Sequence, residues 1–398
     1  MRKNIKIGLF GFGCVGKGLW DVLLRTPGFK AEIIKICCKN KDKVRPIDSS
    51  YFTFDKNEIL NNPEINVIVE LINDSVAAKE IVFDALRRKK AVVTANKKMV
   101  SENLDDLLSL QEKYKTPLLY EGAVCASIPI IRNLEEYYDN DLLTSINGIV
   151  NGTTNYILTK MFSDKSGFNE SLASAQEKGY AESDPTLDIT GFDARAKLHI
   201  ILAHAFGIKV NPDNILTIGI NKLNEFDSNY AMEKGKRIKL VAYSVKQKNN
   251  NIIAVVAPHF ISKENDLYYV DGVFNGIITE SSFAERNMFI GKVAGAFPTA
   301  SAVLSDISAL SYDYKYEYKK MHQNSGLEFS NDYSTRIYVR YPSRMKIDID
   351  IFDSISEIYK SNSKQFIIGE IKHQKLVDSG WLVNPDIGIV INGIDGTN

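Results

Sequence analysis

The sequence has no excess of either charge: 49 Lys and Arg stand against 49 Asp and Glu in 398 residues. Without a global basic field, nucleic acid is not expected as the main partner. No apolar run approaches the ~20 residues of a membrane span, so no membrane association is expected. The opening Met1-Arg2-Lys3-Asn4 leads straight into a strand-like segment, and no secretory leader is expected from it. Cysteines are few: Cys14, Cys37, Cys38 and Cys125 lie in the first third with neither metal-ligand nor disulfide-framework spacing. They read as reduced thiols of a cytoplasmic protein. No internal repeat is evident. What is present is ordinary: 44% hydrophobic and 25% charged residues are the proportions of a globular protein, and the length calls for two or three domains.

The first 130 residues alternate between two periodicities. Short apolar runs (Ile5 to Phe10, Ile33 to Cys37, Val67 to Leu71, Ala91 to Thr94, Leu118 to Tyr120) are separated by helical patterns such as Ala77 to Arg88 and Asn103 to Tyr114. That grammar predicts a doubly wound parallel sheet of Rossmann type, an α/β fold covered on both faces. From residue 131 the pattern changes to an α+β catalytic and dimerisation domain, 131–297. Helices are expected around 154–163, 169–178 and 191–206, the last stopped by Gly207. Strands are expected at Arg237 to Lys246, Ile252 to Pro258, Leu267 to Val273 and Gly276 to Glu280, with a hairpin loop at Lys246 to Asn251. A helix over 299–311 packs back on the cofactor domain, which then comprises 1–130 plus about 298–320. Residues 333–398 read as a small C-terminal α+β appendage, with strands around a helix near 353–361.

Gly11-Phe12-Gly13-Cys14-Val15-Gly16 follows the first strand and opens a helix. In that context Gly11 permits the turn, Gly13 lets a pyrophosphate approach the backbone, and Gly16 lets the helix pack closely on the sheet. The alternative is a purely structural glycine turn. At the end of the second strand, where NAD enzymes place an acidic residue for the ribose, this chain has Cys38-Lys39-Asn40-Lys41. Lys39 fits a 2′-phosphate and favours NADP(H) over NAD(H); the alternative is a solvated surface turn. The rule that ligands bind beyond the carboxyl ends of strands collects Gly11 to Gly16, Lys39, Ile72 to Ser75, Asn96-Lys97 and Gly122 on one rim.

Several segments together resemble homoserine dehydrogenase. They are Thr94-Ala95-Asn96-Lys97, Tyr120-Glu121 through Ile131, Asn151-Gly152-Thr153-Thr154-Asn155-Tyr156, Gly179-Tyr180-Ala181-Glu182-Ser183-Asp184-Pro185, Asp188 through Leu198, and Pro298-Thr299-Ala300-Ser301. The matches run in order from about residue 5 to 320. The resemblance implies NAD(P)-dependent interconversion of the small molecules L-aspartate 4-semialdehyde and L-homoserine, on the way to threonine, isoleucine and methionine. It also implies a homodimer. The aspartate kinase that some relatives carry in the same chain is not expected, because the glycine signature begins within the first dozen residues. Other readings are an oxidoreductase for another small aldehyde and a cofactor-binding regulatory protein without turnover.

Aldehyde reduction needs a hydride at carbon and a proton for the developing alkoxide, and a lysine with a lowered pKa suits the second task. Asp193 and Lys197 are four apart and share a helix face, about 100° from the apolar stripe Ala194, Leu198, Ile201, Ala205. By themselves they fit an ordinary surface pair, or a capping box built from Thr190 and Asp193. The resemblance implies that Lys197 is the general acid/base, oriented by Asp193, and that Lys97 contacts cofactor and substrate. It assigns Glu182 and Asp188 to the substrate ammonium, with Gly152, Thr153 and Tyr180 nearby. Cofactor contacts fall to the glycine loop, Lys39, Ile72, Ser75, Lys97 and Gly295. The segment from Glu121 resembles the family's monovalent-cation loop, with a sodium ion held by Glu121 and the carbonyls of Val124, Ala126 and Ile128.

Three stretches depart from the family pattern. Ala126-Ser127 stand where glycines are common, and a positive φ there would strain an alanine. Asn73-Asp74 also replace glycines, bringing an acid near the cofactor. The Gly291 to Gly295 loop is poorer in glycine than its relatives. Separately, Tyr312, Tyr314, Tyr316 and Tyr318 alternate with Asp313, Lys315 and Glu317. With balanced charge this reads as a half-buried extended segment or dimer contact rather than a base-stacking platform.

Overall fold

The computed structural model describes residues 4–140, 142–292, 295–323 and 326–394. Val293 and Ala294 of the Gly291 to Gly295 loop lie outside the described residues. The chain divides into two compact units, Met1–Asp139 with Lys292–Lys319, and Asn140–Gly291 with Lys320–Asn398.

In the first unit, strands β1 (Ile5–Phe10), β2 (Ala31–Cys37), β3 (Phe52–Thr53), β4 (Val67–Glu70), β5 (Ala91–Thr94) and β6 (Leu118–Leu119) form one sheet in the order β3-β2-β1-β4-β5-β6. Every pairing is parallel. The order reverses between β1 and β4, the switch point at which doubly wound sheets leave a crevice. Strand β4 is buried along its whole length and β5 nearly so, as expected of parallel strands with helices on both faces. The helix Ala296–Leu310 returns to this unit and packs on the helix Cys14–Leu24, where a Cβ on Gly18 would lie 3.0 Å from the Ala296 carbonyl oxygen.

Residues 131–139 cluster with this first unit rather than with the second. Buried polar bonds account for it. Glu121 accepts from the Ile131 and Arg132 amides, and Glu135 accepts from the amides of Glu317 at 3.0 Å and Tyr318 at 3.1 Å. The tyrosine run belongs to the same core: Tyr316 and Tyr318 are buried, Tyr316 packs edge-on against Tyr120, and the Tyr120 and Tyr318 hydroxyls lie 2.9 Å apart.

The second unit is built on an 11-stranded mixed sheet. Its strands are β7 (Leu143–Ile149), β8 (Leu216–Thr217), β9 (Arg237–Lys246), β10 (Asn251–Ile261), β11 (Phe274–Ser281), β12 (Glu285–Lys292), β13 (Glu328–Phe329), β14 (Ser334–Pro342), β15 (Ser354–Lys360), β16 (Lys364–Lys372) and β17 (Gly388–Ile394). The main path runs β12-β11-β7-β9-β10-β17-β14-β16-β15, with β8 and β13 also on β10. The four C-terminal strands therefore extend this same sheet. They share a core with it: Ile253, Val255 and Ala257 of β10 pack with Ile337, Val339, Ile367, Trp381 and Ile391.

Two expectations are corrected. The segment near 353–361 is strand β15, not a helix; the helix of this region is His373–Asp378. Ile355 and Ile358 are three apart, which imitates helical spacing; the register slip between Ile355 and Glu357 lets both lie on one face of a strand. Leu267 to Val273 is not a strand either. Asn265 caps a 3-10 turn, Asp266–Tyr269, by accepting from the Leu267 amide at 3.0 Å, and its apolar residues pack inward from the turn. Strand β12, largely exposed and without an apolar alternation, carried no sequence signal.

Candidate active site

The rim of the first unit is set by backbone geometry. Gly11 has φ +95°, and a Cβ there would lie 2.6 Å from the Leu71 carbonyl oxygen, so the turn accepts only glycine. Gly13, in contrast, has nothing within 4 Å of its Cβ position, which leaves its backbone open to a ligand. It caps the helix Cys14–Leu24 without any side-chain bond, so the first-turn amides near Cys14, Val15 and Gly16 face outward unsatisfied by a capping group. Phe12 is buried beneath the loop against Trp20 and Phe52. Lys39 is exposed just beyond β2, and Arg45 lies over the Phe52 ring at 4.9 Å on the same connection.

Ile72 is fixed from both sides, its amide donating to Glu70 Oε1 at 2.7 Å and its carbonyl accepting from Asn96 Nδ2 at 3.1 Å. Asp74 is occupied as the N-cap of the helix Ser75–Arg87, accepting from the Val76 and Ala77 amides at 3.1 Å. Its charge is thereby spent on a helix terminus. Lys97, half-buried, begins the helix Lys97–Glu102 that Asn96 caps. Gly295, at φ +123°, precedes the helix Ala296–Leu310.

Glu70 escaped the sequence reading. It ends β4 fully buried, and Thr94 at the end of β5 donates to its Oε2 at 2.5 Å. Burial pushes its carboxyl up to about 7 despite those two bonds. An acid inside an apolar strand run was the available signal.

The loop after β6 places Glu121 2% exposed, with Oε1 and Oε2 accepting from the Ile131 and Arg132 amides at 2.9 Å each. Burial first, then the neighbouring Asp306, push its carboxyl up to about 8. Asp306 accepts from the Glu121 amide at 2.9 Å and pairs with Arg132 at 3.1 Å. Val124, Ala126 and Ile128 are buried; the Ile128 carbonyl already accepts from the Ile130 amide at 2.8 Å. Ala126 sits at φ +39°, the left-handed region that makes alanine a strained substitute for glycine.

In the second unit the helix Phe192–Phe206 is buried almost all round, ending at Gly207 with φ +68°. Asp193 and Lys197 are each 6% exposed and 2.8 Å apart. Neither bland alternative survives: the pair is not on the surface, and the helix is capped by Gly191, with Thr190 Oγ1 turned instead to the Thr186 carbonyl. The apolar stripe misled because the opposite face is buried too. Lys197 also donates to the Val150 carbonyl at 2.7 Å.

Asn151 joins the acids. Its Nδ2 donates to Asp188 at 2.7 Å and to Asp193 at 2.8 Å, while its Oδ1 accepts from the Thr154 amide and caps the helix Gly152–Ser163. The sequence reading passed over Asn151, although its place just before the Gly152-Thr153-Thr154 run marked it as a cap. Thr153 Oγ1 donates to the Tyr180 carbonyl at 2.6 Å, and Gly152 abuts Val273. Glu182 is held through its backbone, whose carbonyl accepts from Gln176 at 3.1 Å. Its side chain is exposed, and no bond joins it to Asp188 among the described residues. Also among the described residues, no cluster of three or more His, Cys, Asp or Glu side chains is set to hold a metal ion, and no helix is long and apolar enough to cross a membrane.

Two family models match the chain. One described as homoserine dehydrogenase covers residues 129–308, and one described as its NAD binding domain covers 11–121. The homoserine dehydrogenase of Neisseria gonorrhoeae is 39% identical over 313 residues, 77% of this chain and 72% of that protein. The crystal structure of a homoserine dehydrogenase from Thiobacillus denitrificans superposes with a TM-score of 0.87 at 28% identity, covering 98% of both chains. A hyperthermophilic archaeal homoserine dehydrogenase solved in complex with NADPH gives 0.69 at 25% identity, over 78% of this chain and 99% of that one. The parallel sheet with its glycine rim, the mixed-sheet unit and these relatives agree, and the chain belongs to the homoserine dehydrogenase family, NAD(P)-dependent oxidoreductases.

Proposed function

We propose that this chain reversibly reduces L-aspartate 4-semialdehyde to L-homoserine, in the supply of threonine, isoleucine and methionine, with Lys197 as the general acid/base. The observation that carries this reading is the buried Asp193–Lys197 pair. Asp193 and the Val150 carbonyl engage two of the three N–H donors of Lys197 and fix its direction, leaving the third for the substrate oxygen. During reduction Lys197 gives a proton to the developing alkoxide; in oxidation it accepts one from the homoserine hydroxyl. Asp193 holds the Lys197 ammonium at 2.8 Å and so orients it. Asp188, Glu182 and the N-terminal end of the helix Gly152–Ser163 at Gly152 and Thr153, with Tyr180, bind the amino-acid part, the carboxylates attracting its ammonium.

The glycine rim fits a dinucleotide: Gly13 is open, and the helix Cys14–Leu24 turns uncapped amides outward. When bound there, a nicotinamide supplies the hydride. Gly11 to Gly16, Ile72, Ser75, Lys97 and Gly295 would hold it. Lys39, joined by Arg45, favours the 2′-phosphate and hence NADP(H), because a guanidinium and an ammonium both match its charge. Glu121 with the carbonyls of Val124, Ala126 and Ile128 would hold a sodium ion, the under-compensated buried carboxyl being the feature that suits a cation. The protein is cytoplasmic and a homodimer in this reading.

The test is NADPH consumption with aspartate semialdehyde. Lys197→Ala should lower kcat at least ~100-fold, the scale of general acid catalysis. Wild-type rates in that variant would sink the mechanism. Lys39→Asp should shift the kcat/KM ratio towards NADH, and an unchanged ratio would refute the role of Lys39.

A further inference from the structure

A cavity of about 190 Å3 lies within the second unit, between residues 217–223 and the C-terminal segment 381–389. Lys222 and Trp381 line it together with Thr190, Thr217, Leu382 and Ile389. Its two sides are pinned. Lys222 Nζ donates to the Leu382 carbonyl at 2.6 Å, and Arg340 donates to the Lys222 carbonyl at 2.6 Å while pairing with the buried Asp227 at 2.8 Å. The two sides are therefore tethered at a fixed separation.

Lys222 is the one charged residue in the lining, and no carboxylate accompanies it. Burial lowers its pKa with no opposing charge to restore it. A partly desolvated ammonium that faces a carbonyl but no anion is a poor use of a charge unless something else brings the anion. The threonine hydroxyls do not change this: Thr190 already donates to the Thr186 carbonyl and Thr217 to the Ile215 carbonyl. Apart from Lys222, Asn221 and the two threonines, the side chains of the lining are apolar. The volume somewhat exceeds the ~150 Å3 of a dry cavity that takes benzene, so it suits a tail of roughly four to six carbons.

We propose that this cavity is a binding site for a small monocarboxylate with a compact apolar tail, its carboxylate on Lys222 and its tail against Trp381, Leu382 and Ile389. A ligand with a cationic head is disfavoured, since it would meet Lys222 with no carboxylate nearby. The site uses neither Asp193 nor Lys197.

Calorimetric titration of the full chain with 3-methylbutanoate tests this, and 3-methylbutylamine serves as the probe of equal shape and opposite charge. Saturable binding of the acid is expected with Kd on the order of 1 mM, a reasonable affinity for so few atoms, and none of the amine. Lys222→Met should weaken the acid at least ~10-fold, the loss of one charge-assisted bond. Leu382→Trp should fill the cavity and abolish binding. Absence of saturable heat, equal binding of acid and amine, or unchanged affinity in Lys222→Met would each overturn the proposal. Where Lys222→Met does not fold, retained binding in Leu382→Trp overturns it instead. Calorimetry needs no turnover, so failure of the catalytic reading would leave this result distinguishable.

Discussion

Asn151 links helix capping to the site, and the two tasks are separable by mutation. Asn151→Ser keeps an oxygen that caps the helix, so the stability lost should be that of the bonds to Asp188 and Asp193, about 1–3 kcal/mol, and not that of the cap. Serine is too short to bridge Asp188 and Asp193, and kcat/KM should fall at least ~10-fold as those acids lose a shared donor. Melting curves beside steady-state kinetics check both effects, and an unchanged kcat/KM in the folded variant would refute a role for Asn151 in the site. Glu70 makes a different prediction. Its folded pKa is raised from 4.5 to about 7. Between those values the folded state binds the extra proton, so this group's contribution to stability falls as pH rises, by up to about 1.4 kcal/mol per unit, and is constant above. Subtracting the Glu70→Gln unfolding curve from the wild-type curve should reveal that slope between pH 4.5 and 7; a flat difference would refute a buried, proton-binding Glu70.

At the scale of elements, the loop after β6 shows a local conflict. Ala126 occupies a left-handed conformation, a strain of about 1–2 kcal/mol for a residue with a Cβ, partly offset by the stiffer unfolded chain of alanine. Ala126→Gly should therefore stabilise by about 0.5–1 kcal/mol in denaturant unfolding, and a loss of stability would contradict that backbone reading. The helix Phe192–Phe206 teaches the opposite lesson. Its two charges are legible as an i,i+4 pair, but periodicity treats a polar face as solvent-facing. Here the polar face is covered by protein, and the pair becomes a buried, directed one. Strand β15 departs from expectation for a third reason: a bulge lets isoleucines three apart share one strand face, and sequence spacing cannot tell a bulged strand from a helix turn.

For the whole molecule, the C-terminal strands are structural members of the second unit. The archaeal relative matches 78% of this chain, so a shorter chain of this family folds without an equivalent of the rest. Here, ending the chain at residue 325 would uncover Ile253, Val255 and Ala257 of β10, all fully buried. Their burial contributes on the order of 5 kcal/mol, so the truncated chain should aggregate or lose cooperative unfolding. A soluble product with the full-length melting transition would show that the tail is dispensable. The other end of that sheet is the edge strand β12, beside Phe283 at 85% exposure and with Ile290 at 59%. Exposed apolar side chains beside an unpaired strand edge invite a second copy. Sedimentation of the wild type should give a dimer, and Phe283→Asp with Ile290→Lys should give a monomer; an unchanged mass would place the interface elsewhere.

The sequence by itself determined the doubly wound sheet, the glycine rim, the family and the pairing of Asp193 with Lys197. Those features rest on short-range patterns: strand and helix periods, a turn that only glycine enters, and residues one helical turn apart. Only the tertiary structure decided that the pair is buried, that Asn151 bridges two acids 37 and 42 residues away, that Asp306 sits beside Glu121, and that the tail completes the second sheet. Burial and long-range hydrogen bonding depend on which surfaces come to cover one another, and no local period records that.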